Sequence, residues 1–215
     1  MDSTDLLEQF RLDVVDTELP YLWSDPEVIS YTDGAQKRFV REIGGIGDGS
    51  SALTLLSAGA GVDVVPLSAL ILKIRDAHFL NGDPIEIVNY EDLVVRKIRL
   101  DGRIGPPRFI ITGIEPGKIQ LYPVPVEDVA IRLIVDRLPL KAITDIDQKL
   151  EVEDQHLEGL LFWMKYRAYS KHDAETEDRQ RSEQNRTDFF AYCARAKAEK
   201  DRVKHKTRIV AYGGI

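Results

Sequence analysis

Cys193 is the only cysteine in the 215 residues. No internal disulfide can form, and the absence of any CxxC or Cys/His spacing leaves structural zinc without a ligand set. Long apolar runs are missing as well: the longest, VVPLSALIL, is too short to cross a bilayer. The opening MDSTDLLEQF is acidic and amphipathic and lacks the basic and apolar regions of a secretory signal. These absences predict a chain folded in a reducing cytoplasm with no membrane contact. A basic excess is also lacking. Residues 1–155 hold 27 Asp/Glu against 16 Lys/Arg, net −11, while residues 156–215 hold 9 against 13, net +4. A general nucleic-acid binder needs the opposite balance, because phosphate contacts carry most non-specific affinity.

What is present is an ordinary globular composition, 43% hydrophobic and 30% charged, in a chain long enough for a core without covalent staples. Leu6, Leu7, Phe10, Val14 and Val15 recur at helical spacing and predict a first helix of about three turns that stops near Glu18-Leu19-Pro20. The stretch YLWSDPEVISYTDGAQKRF, residues 21–39, then writes out a helix entrance. Ser24 and Glu27 form a capping box, Asp25 and Pro26 suit the first turn, and Val28, Tyr31, Ala35 and Phe39 make one apolar stripe. This predicts a second helix from about Ser24 to Ile43.

After GGIGDGSS (44–51) the period changes. ALTLLS, VDVVPL, LILKIRDAHFL, PIEIV, RFIITGIE, KIQLYPVP and VAIRLIVDRL are short apolar runs broken by Gly, Pro and Asp, several of them alternating, as in Ile131, Leu133 and Val135 against Ala130, Arg132, Ile134 and Asp136. They predict five to seven strands, with EPGK (115–118) turning a hairpin. Helical spacing returns with Leu157, Leu160, Leu161 and Met164, and again from about Ala174 to Lys204. The expected fold is therefore α+β: a helical bundle made by residues 1–50 and 140–204, an inserted small antiparallel β-sandwich or barrel-like module at 51–139, and an extended C-terminal tail at 205–215.

Chemistry is harder to find. GGIGDGSS has no P-loop ending, does not complete GxGxxG and follows a helix, so it reads as a flexible connector. Glu153 and His156 have the E-x-x-H spacing of helical di-iron sites, but a second such pair is missing. A metal-dependent enzyme using Glu153, His156 and His172 is the rival reading. His172-Asp173 lacks a nucleophile motif, and Cys193 in FFAYCARAK reads as a core residue. The run RVKHKTR (202–208) would serve either an acidic protein partner, the favoured reading, or a DNA-packaging accessory. No enzyme and no cofactor are expected.

Taken in order, the pieces resemble a family. The N-terminal helix, YLWSDPEVISYTDGAQKRF, VDVVPLSALILKI, GPPRFIITG, KIQLYPVP, VAIRLIVDRLPL, an acidic stretch and HLEGLLFWMKYRAYSKHDAETEDR resemble, from Asp5 to about Arg202, the head-to-tail adaptor proteins of tailed bacteriophages. Gly34 stands where a polar residue is more usual. The resemblance implies a virion protein at the head-to-tail junction, a closed ring, usually dodecameric, under the portal protein and above a tail nozzle or tail-completion protein. Genomic DNA would pass through the channel without sequence-specific binding. It further implies a C-terminal segment reaching the portal, for which Arg208, Ile209, Val210, Tyr212 and Ile215 are the candidates.

Overall fold

The structure, a computed structural model, describes residues 3–96, 99–172 and 176–204, apart from the side chain of Lys204. Along the chain the elements are α1 (Ser3–Val14), α2 (Asp25–Glu42), β1 (Ile46–Asp48), β2 (Leu55–Ala58), β3 (Val64–Pro66), β4 (Ile71–Phe79), β5 (Glu86–Asn89), α3 (Tyr90–Val95), β6 (Phe109–Thr112), β7 (Lys118–Tyr122), β8 (Val129–Arg137), α4 (Leu157–Tyr169) and α5 (Arg179–Lys204). Single 3-10 turns lie at Ala52–Thr54 and Asp154–His156. The fold is α+β, and the chain divides into two compact units, Met1–Gly44 with Pro139–Ile215, and Gly45–Leu138.

In the helical unit, apolar residues three or four apart put one buried stripe on each helix: Leu6, Phe10 and Val14 on α1, Val28, Ala35 and Phe39 on α2, Leu160, Met164 and Ala168 on α4, and Phe189, Cys193 and Ala196 on α5. α4 packs against α2 and α5, and α1 packs against α2 and α4. The predicted capping box forms. The Ser24 N–H donates to Glu27 Oε2 at 3.0 Å, and Glu27 also meets Lys171 Nζ at 2.7 Å beyond the end of α4. The Lys171 hydrogen bond, with the Ser24 N–H, holds the Glu27 carboxyl below the usual carboxylate range.

Two helix ends differ from expectation. α1 stops at Val14, before the Glu18-Leu19-Pro20 stop, because Val15 turns to φ +59 and the Asp16 N–H closes on the Arg11 carbonyl at 2.9 Å. α5 starts at Arg179, after Ala174, because the Asp178 carboxylate takes the Arg181 N–H at 2.9 Å and so caps the helix there.

Gly34 lies inside α2, and a Cβ on it would meet Trp163 Nε1 at 3.8 Å, an ordinary contact. Gly34→Ala is therefore expected to raise the unfolding free energy by about 0.5–1 kcal/mol. Urea titration checks this, and a loss of stability would show that Trp163 cannot accept the methyl group.

In the sheet unit, β8 is the hub of the first four-stranded sheet: β4 pairs along one side of it, and β1 and β2 follow each other along the other, all antiparallel. The second sheet runs β3-β7-β6-β5. Its β6–β7 pair is the hairpin predicted at EPGK, with Ile110 opposite Leu121. Ile131, Leu133 and Val135 of β8 are buried in one apolar cluster with Ile110, Ile119 and Leu121 of the second sheet, so the two sheets share a core.

Among the described residues there are eight strands: seven lie within 51–139, as expected, β1 precedes that module, and β5 and β6 run parallel in an otherwise antiparallel set of pairs. A parallel pair needs a crossover, and α3 supplies it. Leu93 of α3 packs with Val88, Ile111 and Tyr122, so the second sheet is covered on that face too.

GGIGDGSS is not a flexible connector. Residues 46–48 form a strand on β8, and the Asp48 carboxylate takes the N–H groups of Ser50 and Ser51 at 3.0 and 3.1 Å and Arg137 Nε at 2.5 Å. Burial pushes the Asp48 carboxyl up, but the hydrogen bonds from Ser51, Arg137 and Ser50 outweigh it and hold it well below the usual range. The loop donors that a phosphate would need are already taken by a resident carboxylate.

Candidate partner-docking surface

The helix entrance specified so firmly by residues 21–36 serves as a clasp. Trp23 is buried, stands edge-on to Phe10 at 5.9 Å and to Tyr169 at 6.1 Å, and donates Nε1–H to the Ala168 carbonyl at 3.3 Å. It therefore joins α1, the loop and α4. Arg11, buried on α1, donates to Asp16 Oδ2 at 2.8 Å and to the Trp23 carbonyl at 3.1 Å, pairs with Asp25, and lies over the Tyr21 ring at 3.6 Å. Asp16 in turn accepts the backbone N–H groups of Leu22 and Trp23 at 2.8 and 3.3 Å. This ion pair was missed in the sequence, although the signal exists: Arg11 sits on the same face as Leu7 and Val14, where a lone cation needs a partner.

Further along α2, the polar side chains tie down the segment that precedes α4. Asp33 Oδ1 accepts the Ile143 N–H at 2.9 Å, and the fully buried Gln36 accepts the Glu151 N–H at 2.7 Å. The same segment takes the start of α1, where Ser3 Oγ donates to the Gln148 carbonyl at 2.7 Å and Thr4 Oγ1 to that of Ile146 at 3.0 Å. Lys165 reaches Asp13 at 2.8 Å and joins α4 to α1. The resulting body is cross-tied at several points, with most of its motif polar groups used in internal bonds. On its outside, Val15 and Leu19 are 82% and 79% exposed on the loop that Asp16 holds. Apolar residues presented on a fixed backbone suit a partner surface.

The other candidates have structural surroundings. His156 packs on Phe39 at 5.0 Å, its Nδ1 lies 3.3 Å from the Tyr192 hydroxyl, and burial pushes its pKa down. Glu153 accepts from Gln155 Nε2 at 2.8 Å. His172 is exposed, with Nδ1 3.5 Å from Glu177, and Asp173 lies outside the described residues. Among the described residues no three His, Cys, Asp or Glu come together as a metal site, and no helix is long and apolar enough to cross a membrane. Cys193 is buried, and that burial pushes its thiol up to about 12, leaving almost no thiolate at neutral pH. Of the basic run, Arg202, Val203 and Lys204 end α5, while 205–208 lie outside the described residues, as do Arg208, Ile209, Val210, Tyr212 and Ile215 of the expected docking segment.

The arrangement offers a surface carried on cross-tied helices. Against known families, the model described as SU10 adaptor protein matches residues 1–210. No curated protein matches the chain.

Proposed function

Because the chain belongs to the SU10 adaptor protein family, a family of phage head-to-tail adaptors, we propose that it is the subunit of a closed ring that joins the portal protein to the tail. The observation that carries this reading is the clasp: residues 11–36 use their polar groups to fix the mutual angles of α1, α2 and α4. A ring closed by one repeated heterologous contact accumulates any angular error around the circle, so its subunit must be stiff. A chain net charge of −7 supports passage of genomic DNA along the channel, since like charge suppresses phosphate adhesion.

On this reading, residues 205–215 dock on the portal through Arg208, Ile209, Val210, Tyr212 and Ile215, the apolar side chains being covered there and Arg208 meeting acidic groups. Mass measurement of the purified chain with and without portal tests the ring: a complex with many copies per portal is expected, and a chain that stays monomeric and never binds portal would defeat it. Deleting 205–215 should leave the melting temperature unchanged and weaken portal binding at least about tenfold. Equal affinity after deletion would remove the assignment to this segment.

A further inference from the structure

The acidic bias of residues 1–155 has a local exception in the sheet unit. Between Arg99 and Arg108 three arginines accompany one acidic residue, Asp101. Arg99, Arg103 and Arg108 rim a cleft of about 580 Å³, whose apolar lining includes Ile104, Phe109 and Tyr122. Backbone bonds hold the rim in place. The Val124 N–H donates to the Arg103 carbonyl at 2.8 Å, the Gly105 N–H to Val124 at 2.9 Å, the Arg108 N–H to Tyr122 at 2.8 Å, and the Arg108 carbonyl accepts from Glu86 at 3.0 Å. Asp101 is bound from within, by the Tyr122 hydroxyl at 2.7 Å and the Arg103 N–H at 3.2 Å.

The rim cations are available. The Arg103 guanidinium is only loosely paired, 3.6 Å from Asp101 and 69% exposed, and Arg99 and Arg108 are exposed and have no ion-pair partner among the described residues. Unspent guanidinium groups on a bonded backbone rim, above an aromatic and aliphatic floor, suit a protein segment with carboxylates and an apolar anchor, because the planar fork takes a carboxylate through two parallel bonds. Duplex DNA fits less well, since a long polyanion meets the field of a chain of net charge −7, whereas a short segment meets mainly the local rim.

The chain carries its own complement. From Asp145 to Glu158 there are six acidic residues and one lysine, and Asp145, Asp147, Glu153, Asp154 and Glu158 are exposed. A ring needs two different patches of one sequence that fit each other between copies. We infer that the Arg99–Arg103–Arg108 cleft receives the acidic run 145–158 of a second copy of this chain. This rests on the ring reading and assigns one of its subunit contacts.

Sedimentation of the full chain tests it, using wild type, a cleft reversal (R99E/R103E/R108E) and an acidic-run reversal (D145K/D147K/E153K). Wild type should associate at low salt and lose that association as salt rises. Each reversal alone should weaken self-association by at least about a hundredfold. Mixed together, the two reversed chains present matched patches again and should recover association, an outcome that a merely damaged fold could not give. R103E alone, at an exposed position, should give a smaller loss in the same direction if the triple variant does not fold. A wild type that stays monomeric at every concentration and salt, or reversals that associate as wild type does, would overturn the contact. Displacement of the second copy by short duplex DNA bound in the cleft would overturn it in favour of a phosphate site. Rings that form on portal equally well with all three chains would overturn the contact and keep the ring. No ring on portal with any of them would defeat the ring reading itself.

Discussion

Arg11→Leu is expected to lower the unfolding free energy of the helical unit by about 3–5 kcal/mol, the cost of breaking a buried ion pair by removing one partner. Arg11 and Asp16 have side chains only 7% and 3% exposed. Without the guanidinium, the Asp16 charge stays in the interior with only the Leu22 and Trp23 N–H groups to answer it, and the Trp23 carbonyl loses its donor. Asp25, half exposed, returns to water at little cost. The readout is specific, because both tryptophans, Trp23 and Trp163, belong to the helical unit, so fluorescence in a urea titration follows that unit alone. A shift below about 1 kcal/mol would place the pair among the weak surface ones and would remove the clasp as the source of stiffness.

The second large effect is expected in the sheet unit. Gly45→Ala should cost about 2–4 kcal/mol, from backbone strain and overpacking together. Gly45 has φ +94, and a Cβ there would lie 2.9 Å from both the Arg137 amide nitrogen and the Asp136 Cβ, neither of which is the loose end of a flexible side chain. Gly44 provides the control. It has φ +79 with nothing within 4 Å of a Cβ, so Gly44→Ala should cost only the conformational term, about 1 kcal/mol. Urea titration followed by far-ultraviolet circular dichroism, which reports both units, reads both variants, and equal losses at the two positions would show that close approach of the β8 backbone is not what keeps residue 45 small.

How much of this was legible in the sequence follows from how local each cause is. The start of α2 could be read because Ser24 and Glu27 lie three residues apart and cap the same turn, and the β6–β7 hairpin because EPGK carries its own turn chemistry. The end of α1 could not, since proline at position 20 is the local signal while the chain turns earlier to bring Asp16 under Arg11. β1 has the sequence IGD, with no strand propensity worth naming, and is a strand because β8 pairs with it. α3 is too short to show a helical period. The clasp motif could be read as a family resemblance, but its physical meaning needed the partners of Trp23, Asp33 and Gln36, all of them far away in sequence. The arginine cleft was hidden for a different reason: a net acidic total masks three cations that matter only once residues 99–109 are folded beside Tyr122.

The helical unit is built from both flanks of the chain, and this sets an order of events on the ribosome. The buried side chains of α1 and α2 emerge first, yet α4, which packs on both helices and meets Trp23 through Ala168 and Tyr169, is translated only after the whole sheet unit. At about 5–20 residues per second, more than a hundred intervening residues leave those side chains waiting for several seconds without their native cover. Nascent chains of this protein should therefore be clients of holding chaperones until residue 169 clears the exit tunnel, while the sheet unit, whose last strand ends at Arg137, can close earlier.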